Sequence, residues 1–293
     1  MAEIIQKDGT WAFVGDSLRL TPGRDKNVSL VRRTLGELEV PLHALAGVSF
    51  EQGRRSGRLR LRLRDGADPL LGATGGRLAE SDDPYRLSVD SDRYGVAEYF
   101  AEEVRNALLL EGVSAGPVTG YLLPGPSLPV SAAAGDGSAS FDGERVRLEW
   151  NWKTEDAKAA TGPRTIRLTE ITAVEWQPAA GLENGHLRFS VRGAPVTAPP
   201  KYDPNAVELW GFKKDPLMAL VAAAVQARLP HPSAPAAGAL VPGQAVPLDK
   251  APAAEDDHDA LLRRLRELGE LHRSGVLTDE EFTQAKRAVL NRM

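Results

Sequence analysis

One stretch of twelve residues occurs twice in this 293-residue chain, and that duplication constrains the fold more than any other feature. Gly9-Thr-Trp-Ala-Phe-Val-Gly-Asp-Ser-Leu-Arg-Leu20 aligns without a gap, 128 residues further on, with Gly137-Ser-Ala-Ser-Phe-Asp-Gly-Glu-Arg-Val-Arg-Leu148; five positions are identical and three more are conservative. Leu38–Phe50 then matches Arg164–Trp176, and Gly57-Arg-Leu-Arg-Leu61 matches Gly185-His-Leu-Arg-Phe189. Agreement in sequence, order and spacing makes this a tandem repeat of one folding unit.

Each unit reads as several strands followed by one helix. Arg58–Arg64 alternates strictly, so Leu59, Leu61 and Leu63 face a core while the arginines face outward. Ser17–Leu20, Tyr85–Val89, Arg145–Trp150 and Val207–Phe212 suit strands between Gly, Pro and Asp turn signals. Val96, Phe100, Val104 and Leu108 give the first closing helix, Val96–Glu111, a single apolar stripe. The second, Pro216–Leu229, is expected to open on Asp215 as N-cap and to stripe through Leu217, Val221, Val225 and Leu229. Strands first and an amphipathic helix last predict a mainly β fold with capping helices, an α+β arrangement in which a small curled sheet is plugged by its helix.

The order of segments is a first repeat over 1–112, a linker over 113–135, a second repeat over 136–230, a Pro- and Ala-rich flexible linker over 231–256, and a helical hairpin over 257–293. Within the first linker, Tyr121-Leu-Leu123 is an apolar run able to dock on a unit. In the hairpin, Leu261, Leu265, Leu268 and Leu271 or His272 form one stripe, and Ser274-Gly275 ends the helix. Thr278-Asp-Glu-Glu281 then has capping-box spacing, with Leu277 and Phe282 at the staple positions and Val289 on the face that Phe282 begins. Two helices this short are marginal alone, so the stripe needs a partner: a second copy, the main body, or another protein. The flexible linker favours self-association or a foreign partner.

The segment Leu261–Phe282, followed by Lys286-Arg-Ala-Val-Leu290, resembles the SHOCT domain. Its hallmark, a leucine helix and then Gly-Val-Leu-Thr-Asp-Glu-Glu-Phe, is present in full, and the resemblance implies oligomerisation or protein contact. The two repeats, through Gly9–Leu20, Gly57–Arg64, Phe100–Leu110 and their second-unit counterparts, resemble a tandem pair of DUF4429 domains, a family of streptomycetes and related actinobacteria. That resemblance implies a pleckstrin-homology-like fold for each repeat, a bent β-sandwich or partly open barrel closed by a C-terminal helix. It implies no biochemical function.

No catalytic apparatus is visible. With zero cysteines there is no thiol nucleophile, disulfide framework or thiolate metal site. Five histidines lack the spacing of a zinc protease, and neither a nucleophile elbow nor a phosphate loop occurs. His258, among Glu255, Asp256, Asp257 and Asp259, reads as a solvated acidic lead-in to the hairpin rather than a metal site. Leu71-Gly-Ala-Thr-Gly-Gly76 reads as a flexible hairpin loop. No cofactor, metal or catalytic residue is expected. A net charge of −4 argues against a general nucleic-acid binder, and no apolar run approaches a membrane span or a leader, so a soluble cytoplasmic protein is expected.

Two features remain as candidate binding surfaces. Arg54, Arg55, Arg58, Arg60, Arg62 and Arg64 form a cationic row able to grip phosphates or carboxylates, including those of an anionic lipid. Alternatively Glu37, Glu39 or Glu51 on neighbouring strands neutralises it, since residues 1–115 hold sixteen Lys and Arg against eighteen Asp and Glu. Trp150 and Trp152 are expected to share one strand face, either in the core or as an exposed aromatic contact. The reading that joins these features is a non-catalytic adaptor whose hairpin multiplies two β-rich modules. Binding of an anionic lipid or phosphorylated ligand by the first repeat is the alternative.

Overall fold

Both repeats fold as a four-stranded and a three-stranded antiparallel sheet followed by a closing helix, in a computed structural model that describes residues 2–194 and 198–234. The first repeat comprises β1 (Ala2–Ile5), β2 (Gly9–Val14), β3 (Ser17–Pro22), α1 (Leu30–Leu35), β4 (Leu38–Pro41), β5 (Leu45–Glu51), β6 (Ser56–Leu63), α2 (Pro69–Thr74), β7 (Arg86–Asp90) and α3 (Tyr94–Leu110). The second repeats that order with β8 (Val130–Ala134), β9 (Gly137–Phe141), β10 (Arg145–Trp150), α4 (Asp156–Ala159), β11 (Arg164–Arg167), β12 (Ile171–Gln177), β13 (Gly185–Val191), β14 (Ala206–Leu209) and α5 (Met218–Gln226). It has no counterpart of α2 among the described residues. Sheets run β1-β2-β3-β4 and β5-β6-β7, then β11-β10-β9-β8 and β12-β13-β14, and none closes into a barrel. The expected fold class, mainly β with capping helices, is what the chain adopts.

Alternation decides the core. In β6 every second residue is buried, so Leu59, Leu61 and Leu63 meet Trp11, Leu18, Val40, Phe100 and Val104 beneath the sheets. The second core gathers Phe141, Leu148, Trp176, Leu187, Phe189, Val221 and Val225, and it also takes in Val31, Leu70 and Ala73 from the first repeat. The two repeats therefore share packing within one unit.

That shared packing explains a difference between the closing helices. Helix α3 buries Ala97, Phe100, Ala101 and Val104 on one face, while Tyr99, Leu109 and Leu110 are exposed. Every residue of α5 is buried, because α2 of the first repeat lies on the side that α3 leaves to solvent. The single stripe expected for the second helix is thus a continuous apolar surface.

Four further expectations need correction. Leu71–Gly76 belongs to α2 and its cap rather than to a hairpin loop: Asp68 accepts from the N–H groups of Leu70 and Leu71, Pro69 occupies the first turn, and Gly75 ends the helix at φ 56°. The segment read as linker 113–135 holds β8, the partner of β9, and buries Val118 and Leu123 in the first core. The strand expected over Val207–Phe212 ends at Leu209, because one Asp215 carboxylate oxygen accepts from the N–H groups of Trp210, Gly211 and Phe212. Asp215 therefore caps that turn rather than the helix, and Asp215–Leu217 forms a single 3₁₀ turn before α5. The hairpin contacts expected at Leu261, Leu265, Leu268, Leu271, Leu277, Phe282 and Val289 lie outside the described residues, as does the His258 cluster.

Candidate functional site

An aspartate in the first hairpin turn of each repeat fastens three elements together. Asp8, between β1 and β2, accepts from the Arg32 guanidinium of α1 at 2.7 Å and from the Ser88 N–H of β7 at 3.2 Å. Asp136, at the same place in the second repeat, accepts from the Lys158 ammonium of α4 at 2.6 Å and from the Glu208 N–H of β14 at 2.8 Å. The Lys158 and Asp136 side chains are 0% and 2% exposed. Burial pushes the Asp136 carboxyl up and the Lys158 ammonium down, and their mutual attraction opposes both shifts. Trp150 roofs this pair: its ring lies 4.5 Å from the Lys158 ammonium, and its indole N–H donates to the Gly162 carbonyl at 2.8 Å.

The sequence reading passed over these carboxylates. Their signal was present, since Asp8-Gly9 and Asp136-Gly137 extend the gapless match by one residue.

Asp8 and Arg32 also line a cleft of about 590 Å³ on the outer face of the β5-β6-β7 sheet. Ser49, Glu51, Ser56, Arg58, Arg60, Arg86 and Ser88 come from the sheet, with Asn27, Glu80 and Ser81 at the margin. Strand register places Arg60 between Ser49 and Arg86, and Arg58 between Glu51 and Ser88.

Only part of the arginine row reaches this cleft. Arg54 and Arg55 are exposed in the turn before β6. Arg62 donates to the Ala46 carbonyl at 3.3 Å, and Arg64 to the carbonyls of Gly116 and His43 at 2.8 and 3.0 Å, so those two brace backbone. The acids expected to neutralise the row do not. Glu37 pairs with Arg19, Glu39 accepts from Ser17, and Glu51 lies across from Arg58 without an ion pair. The acids that approach come from the loop after α2: Glu80 meets Arg86 at 2.5 Å and Arg58 at 3.8 Å, while Asp83 meets Arg86 at 3.0 Å. Arg60 makes no ion pair among the described residues.

Trp150 and Trp152 do not share a face. Trp150 is the last residue of β10 and is half-buried over Lys158; Trp152 lies in the following turn, 88% exposed. The Lys153 ammonium sits 5.4 Å from the Trp152 ring, 5.2 Å from Trp210 and 5.7 Å from Phe212. Trp152 is therefore available for contact and Trp150 belongs to the repeat's own structure. Among the described residues no three His, Asp or Glu side chains gather as metal ligands, and no helix is long and apolar enough to cross a membrane.

A family model described as "Domain of unknown function (DUF4429)" matches residues 11–105 and again residues 139–226. A second, described as "Short C-terminal domain" (SHOCT), matches residues 263–290. No curated protein matches the chain.

Proposed function

This chain belongs to the DUF4429 family, and we propose that it works as a non-catalytic cytoplasmic adaptor or scaffold built from two pleckstrin-homology-like binding modules. The observation that carries this reading is the seating of α2 from the first repeat on α5 of the second. The two modules present their outer surfaces as one body, which suits a protein that holds partners in a fixed relation. The four-plus-three strand arrangement with a closing helix supports the pleckstrin-homology-like assignment. The short C-terminal domain then supplies self-association or a protein contact, and copies joined in this way gain avidity without a strong single site. No paired nucleophile and base or metal-binding motif in the sequence argues for an enzyme.

Light scattering on the full chain and on a chain ending at Ala254 tests this proposal. A multimer that becomes a monomer on truncation is the expected result. Equal masses together with an unchanged set of bound partners would remove the adaptor reading.

A second reading, binding of an anionic lipid or phosphorylated ligand by the first repeat, is favoured by the cleft beside Arg58 and Arg60.

A further inference from the structure

We propose that Arg60, with Arg58 beside it, forms a site for a phosphate monoester that the first repeat carries and the second has lost. This assignment rests on the second reading above and names the residues that carry it.

In the second repeat the residue matching Arg60 is Arg188. It stands in β13 across from Ala206, with its guanidinium 3.0 Å from the Asp203 carboxylate and a further N–H donated to the Ala198 carbonyl at 2.9 Å. Asp203 opens an Asp203-Pro204 turn and also accepts from the Asn205 N–H. The first repeat has the same turn, Asp83-Pro84, with Asp83 accepting from the Tyr85 N–H. Asp83 is therefore the acid that would be expected to hold Arg60.

It does not hold Arg60, because Arg86 stands where the second repeat has Ala206. Arg86 takes Asp83 at 3.0 Å and Glu80 at 2.5 Å, and that leaves Arg60 exposed with no ion pair among the described residues. One substitution between the repeats thus turns a neutralised arginine into an open one.

The surroundings define the ligand. Arg58 and Arg60 are alternate residues on one strand face, about 7 Å apart along β6, a span that the oxygens of one phosphate bridge through flexible guanidinium groups. Ser49 faces Arg60 and Ser88 faces Arg58, and Ser56, Ser81 and Asn27 line the same cleft as neutral donors. Four arginines (Arg32, Arg58, Arg60 and Arg86) are set against Asp8, Glu51, Glu80 and Asp83 in and around the cleft. Arg32 is held by Asp8, Arg86 by Glu80 and Asp83, and Arg58 lies 3.8 Å from Glu80, so Arg60 is the guanidinium left without an acid among the described residues. With the named charges balanced four against four, one open guanidinium among neutral donors suits a single phosphate group rather than a polyanion.

The test uses the full chain at neutral pH with two probes of the same chemistry. Soluble inositol 1,4-bisphosphate is titrated by calorimetry, and phosphatidylcholine vesicles with and without phosphatidylinositol 4-phosphate are used in flotation. We expect saturable binding in at least one arm, weakened at least tenfold by Arg60→Ala, whose side chain is exposed and makes no ion pair among the described residues. Arg86→Ala should weaken binding as well, because it returns Asp83 to Arg60. Binding in the soluble arm assigns a free phosphate ester as the source, and binding to vesicles alone assigns a lipid headgroup. If wild type binds in neither arm, the anion-binding reading of the first repeat falls. If it binds and Arg60→Ala binds equally, that reading stands and the present assignment is overturned.

Discussion

Asp68 should make the protein less stable as pH rises toward neutrality, and replacing it with Asn should abolish that dependence. Its carboxylate caps α2 through the N–H groups of Leu70 at 2.9 Å and Leu71 at 3.2 Å, and accepts the Tyr85 hydroxyl at 2.8 Å. Burial outweighs these three bonds and pushes its pKa from 3.8 up to about 6. Burial, with the Asp68 charge second, drives the Tyr85 hydroxyl well above its ordinary value, so Tyr85 stays a donor throughout. Because the folded pKa is raised, the folded chain keeps a proton between about pH 4 and pH 6 that the unfolded chain releases. The stability contribution is therefore greatest below that window, falls as pH climbs through it, and is flat above. At roughly 1.4 kcal/mol per pKa unit, a shift of this size amounts to about 3 kcal/mol. Asp68→Asn keeps an oxygen for one of the two helix N–H groups and never ionises, so the lost bond lowers stability equally at every pH. Urea denaturation followed by tryptophan fluorescence, from about pH 4 to about pH 7, should show the variant gaining about 3 kcal/mol on wild type across the window. A gap that stays constant with pH refutes the reasoning.

Two other substitutions test the packing. Lys158→Met removes the partner of a fully buried carboxylate and should cost about 3–5 kcal/mol of unfolding free energy in thermal or urea melts; a loss under ~1 kcal/mol would show that Asp136 finds another donor. Gly72→Ala lies inside α2, where an added Cβ meets Tyr121 at 3.7 Å and the Gln226 side chain at 3.9 Å, both ordinary contacts. It should raise stability by about 0.5–1 kcal/mol in the same melts, and destabilisation would mean that α2 and α5 are packed more tightly than these distances imply.

The strands and the first closing helix were legible because their burial is periodic: Leu59, Leu61 and Leu63 alternate, and Phe100 and Val104 fall four apart. Helix α2 escaped because a short helix containing a glycine completes fewer than two turns, too few for a stripe to repeat, although Asp68-Pro69 is a helix-start signal. Leu123 was legible as the end of the apolar run Tyr121–Leu123, whereas Val118 is an isolated apolar residue in a Pro- and Gly-rich stretch that no pattern marks as core. The state of Arg60 was illegible for a different reason. It depends on which of two arginines Asp83 chooses, and strand register decides that choice. Trp152 fell out of its expected face because β10 stops at Trp150, where the Asn151 amide donates to the Gly135 carbonyl and the chain turns.

The seating of α2 on α5 also gives the molecule an order of assembly. The first core, around Phe100 and Val104, is built entirely from residues that precede Met218–Gln226, so it is able to close before that helix is made. Until then Leu70 and Ala73 lack the helix they pack against. The C-terminal repeat is less self-contained, since its last helix is buried on every side and part of its cover is that helix of the first repeat. Made alone, it would expose to water the face that α2 covers.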